Sequence, residues 1–506
     1  MAVATYGPVG FVDTSLRDGN QSLWGAVGVT TGMAETALAA MDRIGLDAID
    51  YTSSTNLLMG AKTHGENPWE RISRARAAAP ETPLSAISTG MRFMSWDRSS
   101  ETVMRMSLRL MARHGLRRLQ IAEPMNDVAQ VIEVARWAKE EGIETVVAAV
   151  VFTESPVHTD ASYLGAARAY DACPDIDIVY LKDPGGLLTV ERVAGLVPAM
   201  REALTVKRFE LHGHCTTGEA PLGYLRAARL GIDAVHTGIG PLANGTAQPQ
   251  LEATLVNFDA AGVAVDIDRE AVAETSRILA AAAREQGLSG GRVMPYDLST
   301  HVHQIPGGMM GTLRRQLGEL GMGELLPAVI EETGRVRSEL GYPIMVTPFS
   351  QFVGSQALMN VLAEHSGQPR YSRIPDEVVR FVIGQFGTPL GEIAPEVVER
   401  VESLPRTREL RQPADARTLD ELHADYAARF GRVLDEEELL LRIVMAPELL
   451  ESVLRSQAAP GWRPKPPAGT ASEFVRAADR LPNWRTIDVR LGDEHVRLVR
   501  DTGAAR

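Results

Sequence analysis

The residues best equipped for chemistry are His212 and His214, separated by one glycine at the end of the apolar run Phe209-Glu210-Leu211. Two histidines at i and i+2 on a strand project from the same face, so both imidazoles can reach one metal ion. Two nitrogens do not close a coordination sphere, and the same spacing also suits a pair of ordinary polar residues on a half-buried strand. Two other strand ends carry comparably capable groups. Leu16-Arg17-Asp18-Gly19-Asn20-Gln21-Ser22 packs an arginine, an acid and an amide into one turn, and Tyr180-Leu181-Lys182-Asp183-Pro184 ends in a lysine and an acid. The chain has five lysines, and Lys182 alone falls in a predicted buried strand. Burial lowers an amine's pKa and favours its neutral form. A neutral lysine can serve as a base, form a Schiff base, or take up carbon dioxide as a carbamate that ligates metal through oxygen. The plainer alternative is a lysine that pairs with Asp183 or reaches out to solvent.

Over the first 260 residues, short apolar runs alternate with amphipathic helical stretches. The runs are Gly10-Leu16, Asp47-Ser53, Pro83-Thr89, Arg118-Pro124, Glu144-Phe152, Asp177-Asp183, Arg208-His214 and Ala234-Gly240. Strand–helix alternation implies parallel pairing through right-handed crossovers. Eight units over about 250 residues match the count and length of a (β/α)8 barrel, whose chemistry sits at the C-terminal ends of its strands. The competing doubly wound sheet is disfavoured by the regular count and by a first turn that is not glycine-rich. The expected organisation is a barrel over 1–300 and an all-α domain over 301–458, packed against the barrel's mouth. A Pro-rich linker and a short β-hairpin follow over 459–506. The hairpin is signalled by alternation at Ile487, Val489 and Leu491, a Gly492-Asp493 turn, and Val496 and Leu498.

Composition narrows the function class. The 506 residues are 44% hydrophobic and 23% charged, which is ordinary for a globular chain. The net charge of -13 argues against nucleic acid and anionic membranes as partners. Two cysteines, Cys173 and Cys215, give no disulfide framework. No apolar run approaches the roughly 20 residues of a membrane span, and Met1 to Gly10 does not read as a signal peptide. A cytoplasmic location is expected.

Several motifs, in register, resemble the biotin-dependent carboxyltransferases: the carboxyltransferase part of pyruvate carboxylase, the oxaloacetate decarboxylase α subunit and the metal-binding subunit of transcarboxylase. Arg17-Asp18-Gly19-Asn20-Gln21-Ser22 is similar to their R-D-A-H-Q-S motif. In order follow Asn67-Pro68-Trp69-Glu70-Arg71, Leu181-Lys182-Asp183, Leu211-His212-Gly213-His214-Cys215-Thr216-Thr217-Gly218, Ile305-Pro306-Gly307-Gly308 and Val346-Thr347-Pro348-Phe349-Ser350-Gln351. The resemblance implies Asp18, His212, His214 and a carboxylated Lys182 as ligands of a divalent metal, with zinc, manganese and cobalt all suited to the donors. It implies that Arg17 and Gln21 bind the acceptor's oxygens as negative charge develops on enolisation. The reaction implied moves a carboxyl group between carboxybiotin and an enolisable acceptor, or runs in reverse. After Lys207 the remaining lysine, Lys465, sits in the Pro-rich stretch, so biotin is expected on a separate carrier protein served by a separate biotin carboxylase subunit. Relatives are dimers, and a homodimer is expected here.

The departures concern the acceptor. Where the family has L-R-G this chain has Ile87-Ser88-Thr89-Gly90, with no arginine until Arg92. W-G-G-A-T becomes Thr52-Ser53-Ser54-Thr55-Asn56, and F-D-A becomes Ala122-Glu123-Pro124. Ser88 and Glu123 are therefore the expected substrate-facing residues of those strand ends. The family's proton-shuttling Thr or Ser is replaced by Gly311, leaving Thr312 as the candidate catalytic hydroxyl. Losing a bidentate guanidinium changes pocket charge, so the expected acceptor is not pyruvate itself. The alternative reading is a biotin-free, metal-dependent lyase or aldolase of the isopropylmalate synthase or HMG-CoA lyase type, which shares the Arg-Asp-Gly-x-Gln and His-x-His motifs. A third is a scaffold whose site has decayed.

Overall fold

A computed structural model describes residues 7–94, 98–297, 300–301, 304–305, 307–411, 415–456, 458–464, 486–491 and 494–499. All eight apolar runs form strands: β1 Gly10–Asp13, β2 Ala48–Ser53, β3 Leu84–Ser88, β4 Arg118–Ile121, β5 Thr145–Val151, β6 Ile178–Asp183, β7 Arg208–Gly213 and β8 Ala234–Thr237. They pair in parallel in sequence order, and β8 closes on β1, with Val12 opposite His236. Closure removes the exposed edges that an open sheet would carry. It also brings every strand's C-terminal end to one mouth. In β2 the register with β3 shifts between Asp50 and Thr52, a bulge that re-aims side chains. Asp50 turns into the barrel, while the Tyr51 hydroxyl donates to the Arg71 carbonyl at 3.1 Å.

Two stretches depart from expectation. The Arg17-Asp18-Gly19 turn is helical: a π-helical turn at Ser15–Gly19 runs directly into the helix Asn20–Trp24. A Cβ on Gly19 would lie 2.3 Å from the Leu242 carbonyl oxygen. Glycine is thus required for the loop after β8 to lie against this turn. The polar residues after β2 form a further helix, Ser54–His64, capped by the Ser53 hydroxyl accepting from the Asn56 amide. Gly65 ends it in the left-handed conformation at φ 66°.

The helical region divides between two places. Helices from Gly307–Glu319 to Pro405–Leu410 build a second core around Phe349, Phe352, Phe381 and Phe386. Ile344 from this region packs with Ala122, Val147 and Tyr180 of the barrel, which seats the unit on the mouth. Helices Leu419–Phe430, Glu436–Val444 and Pro447–Arg455 instead return to the barrel's flank, where Leu439, Leu440 and Leu450 join the barrel core. Glu436 there accepts from Arg109 at 2.8 Å and Arg113 at 3.0 Å. The first part of the expected linker is also docked. Ala459 and Trp462 carbonyls accept from Arg74 and from Thr36, the latter at 2.7 Å, and the Trp462 indole donates to Glu285 at 3.1 Å. Strands β9 Thr486–Leu491 and β10 Glu494–Val499 pair antiparallel as the expected hairpin, whose Gly492-Asp493 turn lies outside the described residues. Among the described residues no helix is long and apolar enough to cross a membrane. Both cysteines are buried and free.

Candidate metal centre and active-site cavity

Strand periodicity delivers the two histidines as expected. His212 and His214 share a face of β7 and its end, with their Nε2 atoms 3.2 Å apart. The helical turn after β1 brings Asp18 Oδ2 to 3.2 Å from His212 Nε2 and 3.4 Å from His214 Nε2. Lys182, at the end of β6, places Nζ 3.3 Å from His212 Nε2. Donors ~2.1 Å from one divalent ion stand ~3–3.5 Å from each other, which is the spacing found, and the three-residue group lies within 4.8 Å overall. All four residues are buried.

Outer hydrogen bonds orient these groups. Asp18 Oδ1 accepts from Ser22 at 2.9 Å, leaving Oδ2 for the cluster. His214 Nδ1 faces the Thr246 carbonyl at 2.6 Å, so it carries the hydrogen and Nε2 presents its lone pair inward. Two residues that sequence reasoning missed complete the surroundings. The Gln248 amide nitrogen lies 3.0–3.2 Å from Asp18 Oδ2 and both histidine Nε2 atoms, and its oxygen accepts from Thr14 at 2.8 Å. His236, on β8, reaches His212 Nδ1. A histidine facing inward from a strand beside the His-x-His strand was a visible signal for the latter.

The electrostatics suit cation binding. Burial alone would raise Asp18, but the Arg17 charge beside it holds it well below the usual carboxylate range. Burial, reinforced by the Lys182 charge, pushes His212 well below its ordinary value, which keeps it neutral and ligand-competent. Burial pulls Lys182 down to about 8 against the opposing charge of Asp18. At pH 7 an amine with that pKa is about one-tenth neutral, and the neutral form is the one that takes up carbon dioxide. Arg17 sits beside the cluster with Nη1 3.2 Å from Asp18, while Nε and Nη2 both donate to Asp50 Oδ2, at 2.8 and 2.5 Å.

A cavity of about 660 Å³ opens above the cluster, between barrel and helical unit. Arg17, Asp18, Gln21, Lys182 and His214 line its floor, and Leu313, Gln316, Thr347, Ser350 and Gln351 its roof. Thr312 lies in the helix Gly307–Glu319, with its side chain outside the described residues. The two residues expected to face substrate do not line this space. The Ser88 hydroxyl donates to the Gly90 carbonyl at 2.8 Å. The Glu123 carboxylate turns back to accept from the Met125 and Asp127 amides at 2.9 and 2.7 Å. Alternation puts their neighbours Ile87, Thr89 and Ala122 on the cavity wall, with Arg92 beyond them. The Arg92 guanidinium donates to the carbonyls of Thr89 at 3.0 Å and Phe386 at 3.4 Å.

A closed (β/α)8 barrel with a buried Asp-His-His cluster, an adjacent lysine and a helical cap defines a metal-centred barrel enzyme. Comparison with known proteins gives the family. The chain matches the HMGL-like family over residues 8–279 and the conserved carboxylase domain over 300–485. It is 30% identical to a pyruvate carboxylase subunit of Methanocaldococcus jannaschii, covering 89% of this chain and 78% of that one. Against the corresponding pyruvate carboxylase subunit of Methanothermobacter thermautotrophicus it is 29% identical, over 97% and 84%. Against the 2-oxoglutarate carboxylase large subunit of Hydrogenobacter thermophilus it is 27% identical, over 85% and 66%. The carboxyl transferase domain of Rhizobium etli pyruvate carboxylase has the same fold, with a TM-score of 0.76 at 23% identity over 88% of this chain and 77% of that one. The chain belongs to the biotin-dependent carboxyltransferase family. It is a carboxyltransferase subunit of the kind that uses a divalent metal and carrier-borne biotin. The HMGL-like match is shared with lyases, but the conserved carboxylase domain takes the chain away from the biotin-free lyase reading.

Proposed function

We propose that this protein moves a carboxyl group between biotin on a separate carrier protein and an enolisable acceptor other than pyruvate. Asp18, His212, His214 and a carboxylated Lys182 hold the divalent ion, for which zinc, manganese and cobalt all suit the donors. The ion supplies fixed positive charge beside the acceptor. Arg17 and Gln21 bind the acceptor's oxygens and stabilise the charge that develops on enolisation. Thr312 carries the proton between biotin and acceptor. The protein works as a homodimer in the cytoplasm, with a biotin carboxylase and a biotin carboxyl carrier protein as partners.

The observation that carries the acceptor reading is the composition of the cavity wall. At the ends of β2 to β4 it presents Ser53, Thr55, Ile87, Thr89 and Ala122, and no Phe, Tyr or Trp appears in the lining among the described residues. Arg17 belongs to the floor rather than to this wall, held there by Asp50 and Asp18. Arg92 approaches from two residues beyond the Thr89-Gly90 turn. A wall of this kind has more room and less fixed charge than a small, charged 2-oxo acid needs for tight bidentate capture.

The test is a comparison of kcat/KM across pyruvate, longer 2-oxo acids and acyl thioesters, using metal-loaded protein in bicarbonate buffer with carboxybiotin. A larger acceptor is expected to exceed pyruvate. Pyruvate as the best substrate of the panel would overturn the acceptor reading. Turnover equal without carboxybiotin would overturn the carboxyl-transfer reading.

A further inference from the structure

We infer that His236 is a positioning residue for the metal centre: through a hydrogen-bonded chain Arg118–Glu210–His236–His212 it fixes the His212 tautomer that can bind metal. The inference rests on the metal-ligand reading of His212 given above.

The geometry fixes the direction of each hydrogen bond. Glu210 and His212 lie two residues apart on the same face of β7, so Glu210 sits one layer deeper in the barrel than the ligand. His236 projects inward from the neighbouring β8, and Arg118 from the start of β4. All four are buried, with His212, His236 and Glu210 at 0% exposure. Arg118 pairs with Glu210 Oε2. The same oxygen lies 2.9 Å from His236 Nε2. A carboxylate held by a guanidinium only accepts hydrogen bonds, so His236 Nε2 carries a hydrogen. The Arg118 and Glu210 charges already cancel, and a further buried cation would stand uncompensated. His236 is therefore a neutral imidazole whose Nδ1 offers a lone pair. That lone pair faces His212 Nδ1 at 3.1 Å. Two ring nitrogens at this distance share one hydrogen, and it belongs to His212 Nδ1. His212 Nε2 is left with its lone pair directed at Asp18 Oδ2 and His214 Nε2, each 3.2 Å away.

Without the His236 acceptor, the His212 hydrogen has an alternative home on Nε2, where Asp18 Oδ2 would accept it. That arrangement blocks the ligand position. The ring is also held mechanically. His236 stacks on Tyr180 with centroids 5.3 Å apart and planes 13° apart, and meets His212 edge-on at 84°. Carbonyl or carboxylate partners usually perform this orienting task for metal-bound histidines, as the Thr246 carbonyl does for His214. At His212 it is performed by a second histidine backed by a buried ion pair.

The test compares the full-length chain with the variants His236→Phe and His236→Gln. Metal-free protein is titrated with Co²⁺ in competition with a chelator, and the d–d absorption of the bound ion is recorded alongside thermal unfolding of the metal-free forms. His236→Phe keeps a ring for stacking but removes the acceptor, and is expected to lose ~10–100-fold in Co²⁺ affinity with an altered absorption band. His236→Gln offers an amide oxygen to His212 and an NH₂ to Glu210, and is expected to recover most of the affinity and the wild-type band. If the Phe ring is not accommodated and the chain fails to fold, His236→Met, flexible and without a nitrogen acceptor, takes its place. Wild-type affinity and absorption in the folded acceptor-less variant would overturn the positioning role. Equal losses in the Phe and Gln variants would also overturn it, assigning His236 to packing alone. Failure of the wild-type chain to bind Co²⁺ would instead remove the metal-ligand reading of His212 itself.

Discussion

Arg17 is the cation nearest the proposed metal ligands, and its position depends on Asp50. Both Nε and Nη2 donate to a single oxygen, Asp50 Oδ2, while Asp50 Oδ1 has no hydrogen-bond partner among the described residues. The side chains are 5% and 0% exposed, so solvent screens little of the interaction. Asp50→Asn can therefore keep the geometry, with its amide oxygen in place of Oδ2 and its nitrogen in place of the unpartnered Oδ1. What it loses is charge. Each guanidinium bond to an ionised acceptor is worth ~1.5–3 kcal/mol, and a neutral acceptor gives about half of that. Two bonds thus put the cost of Asp50→Asn at ~1.5–3 kcal/mol. Asp50→Ala removes both bonds and leaves the guanidinium to Asp18 alone, for ~3–5 kcal/mol. Urea unfolding of the metal-free protein, followed by far-ultraviolet circular dichroism, reads both values. Turnover is expected to fall further in Asp50→Ala, where Arg17 is free to rotate toward Asp18, than in Asp50→Asn, where weaker bonds still hold it. Unfolding midpoints of either variant indistinguishable from wild type, or Asp50→Ala more stable than Asp50→Asn, would refute the argument.

The remaining expectations concern the cluster and its surroundings. His212→Ala should reduce bound metal well below one ion per chain by elemental analysis; undiminished metal would sink the proposed centre. Native mass spectrometry in bicarbonate buffer should show the added mass of one carbon dioxide, absent from Lys182→Ala, and an unshifted wild-type mass would assign Lys182 an unmodified role. Thr312→Ala should abolish turnover while metal content stays intact; full activity would exclude the hydroxyl as proton carrier. Burial raises the Glu123 carboxyl to about 7, against the opposing bonds from the Asp127 and Met125 amides and the Arg92 charge. The native state then holds a proton that the unfolded chain releases near its ordinary 4.5. Glu123 therefore contributes stability below pH 4.5 that is lost as pH rises through 7. Glu123→Gln should flatten the stability profile across this window by ~3 kcal/mol relative to wild type; parallel profiles would contradict the assignment.

The eight strands and the histidine pair were legible in the sequence because both are local periodicities. Alternating apolar runs and helices determine a parallel sheet, and spacing i, i+2 determines a shared face. At the acceptor wall Ser88 and Glu123 are the chemically conspicuous residues, but the alternation at the ends of β3 and β4 places Ile87, Thr89 and Ala122 on the cavity wall. The helix Ser54–His64 was missed because its start is polar and its cap is a single hydroxyl, that of Ser53.

By itself, then, the sequence determined the barrel, the helical cap, the tail hairpin and a plausible donor set, all of which follow from pattern along the chain. Tertiary structure alone decided how the donors are tuned. The partnerships of Arg17 with Asp50, His212 with His236, and His236 with Glu210 and Arg118 join different strands. Their existence depends on which inward-facing layers closure of the barrel brings level. It also decided the destination of the last helices. Their apolar stripes announce burial without naming a partner, and the partner proved to be the barrel's flank, where Glu436 meets Arg109 and Arg113. An amphipathic face encodes that something must cover it; only the assembled surface supplies what does.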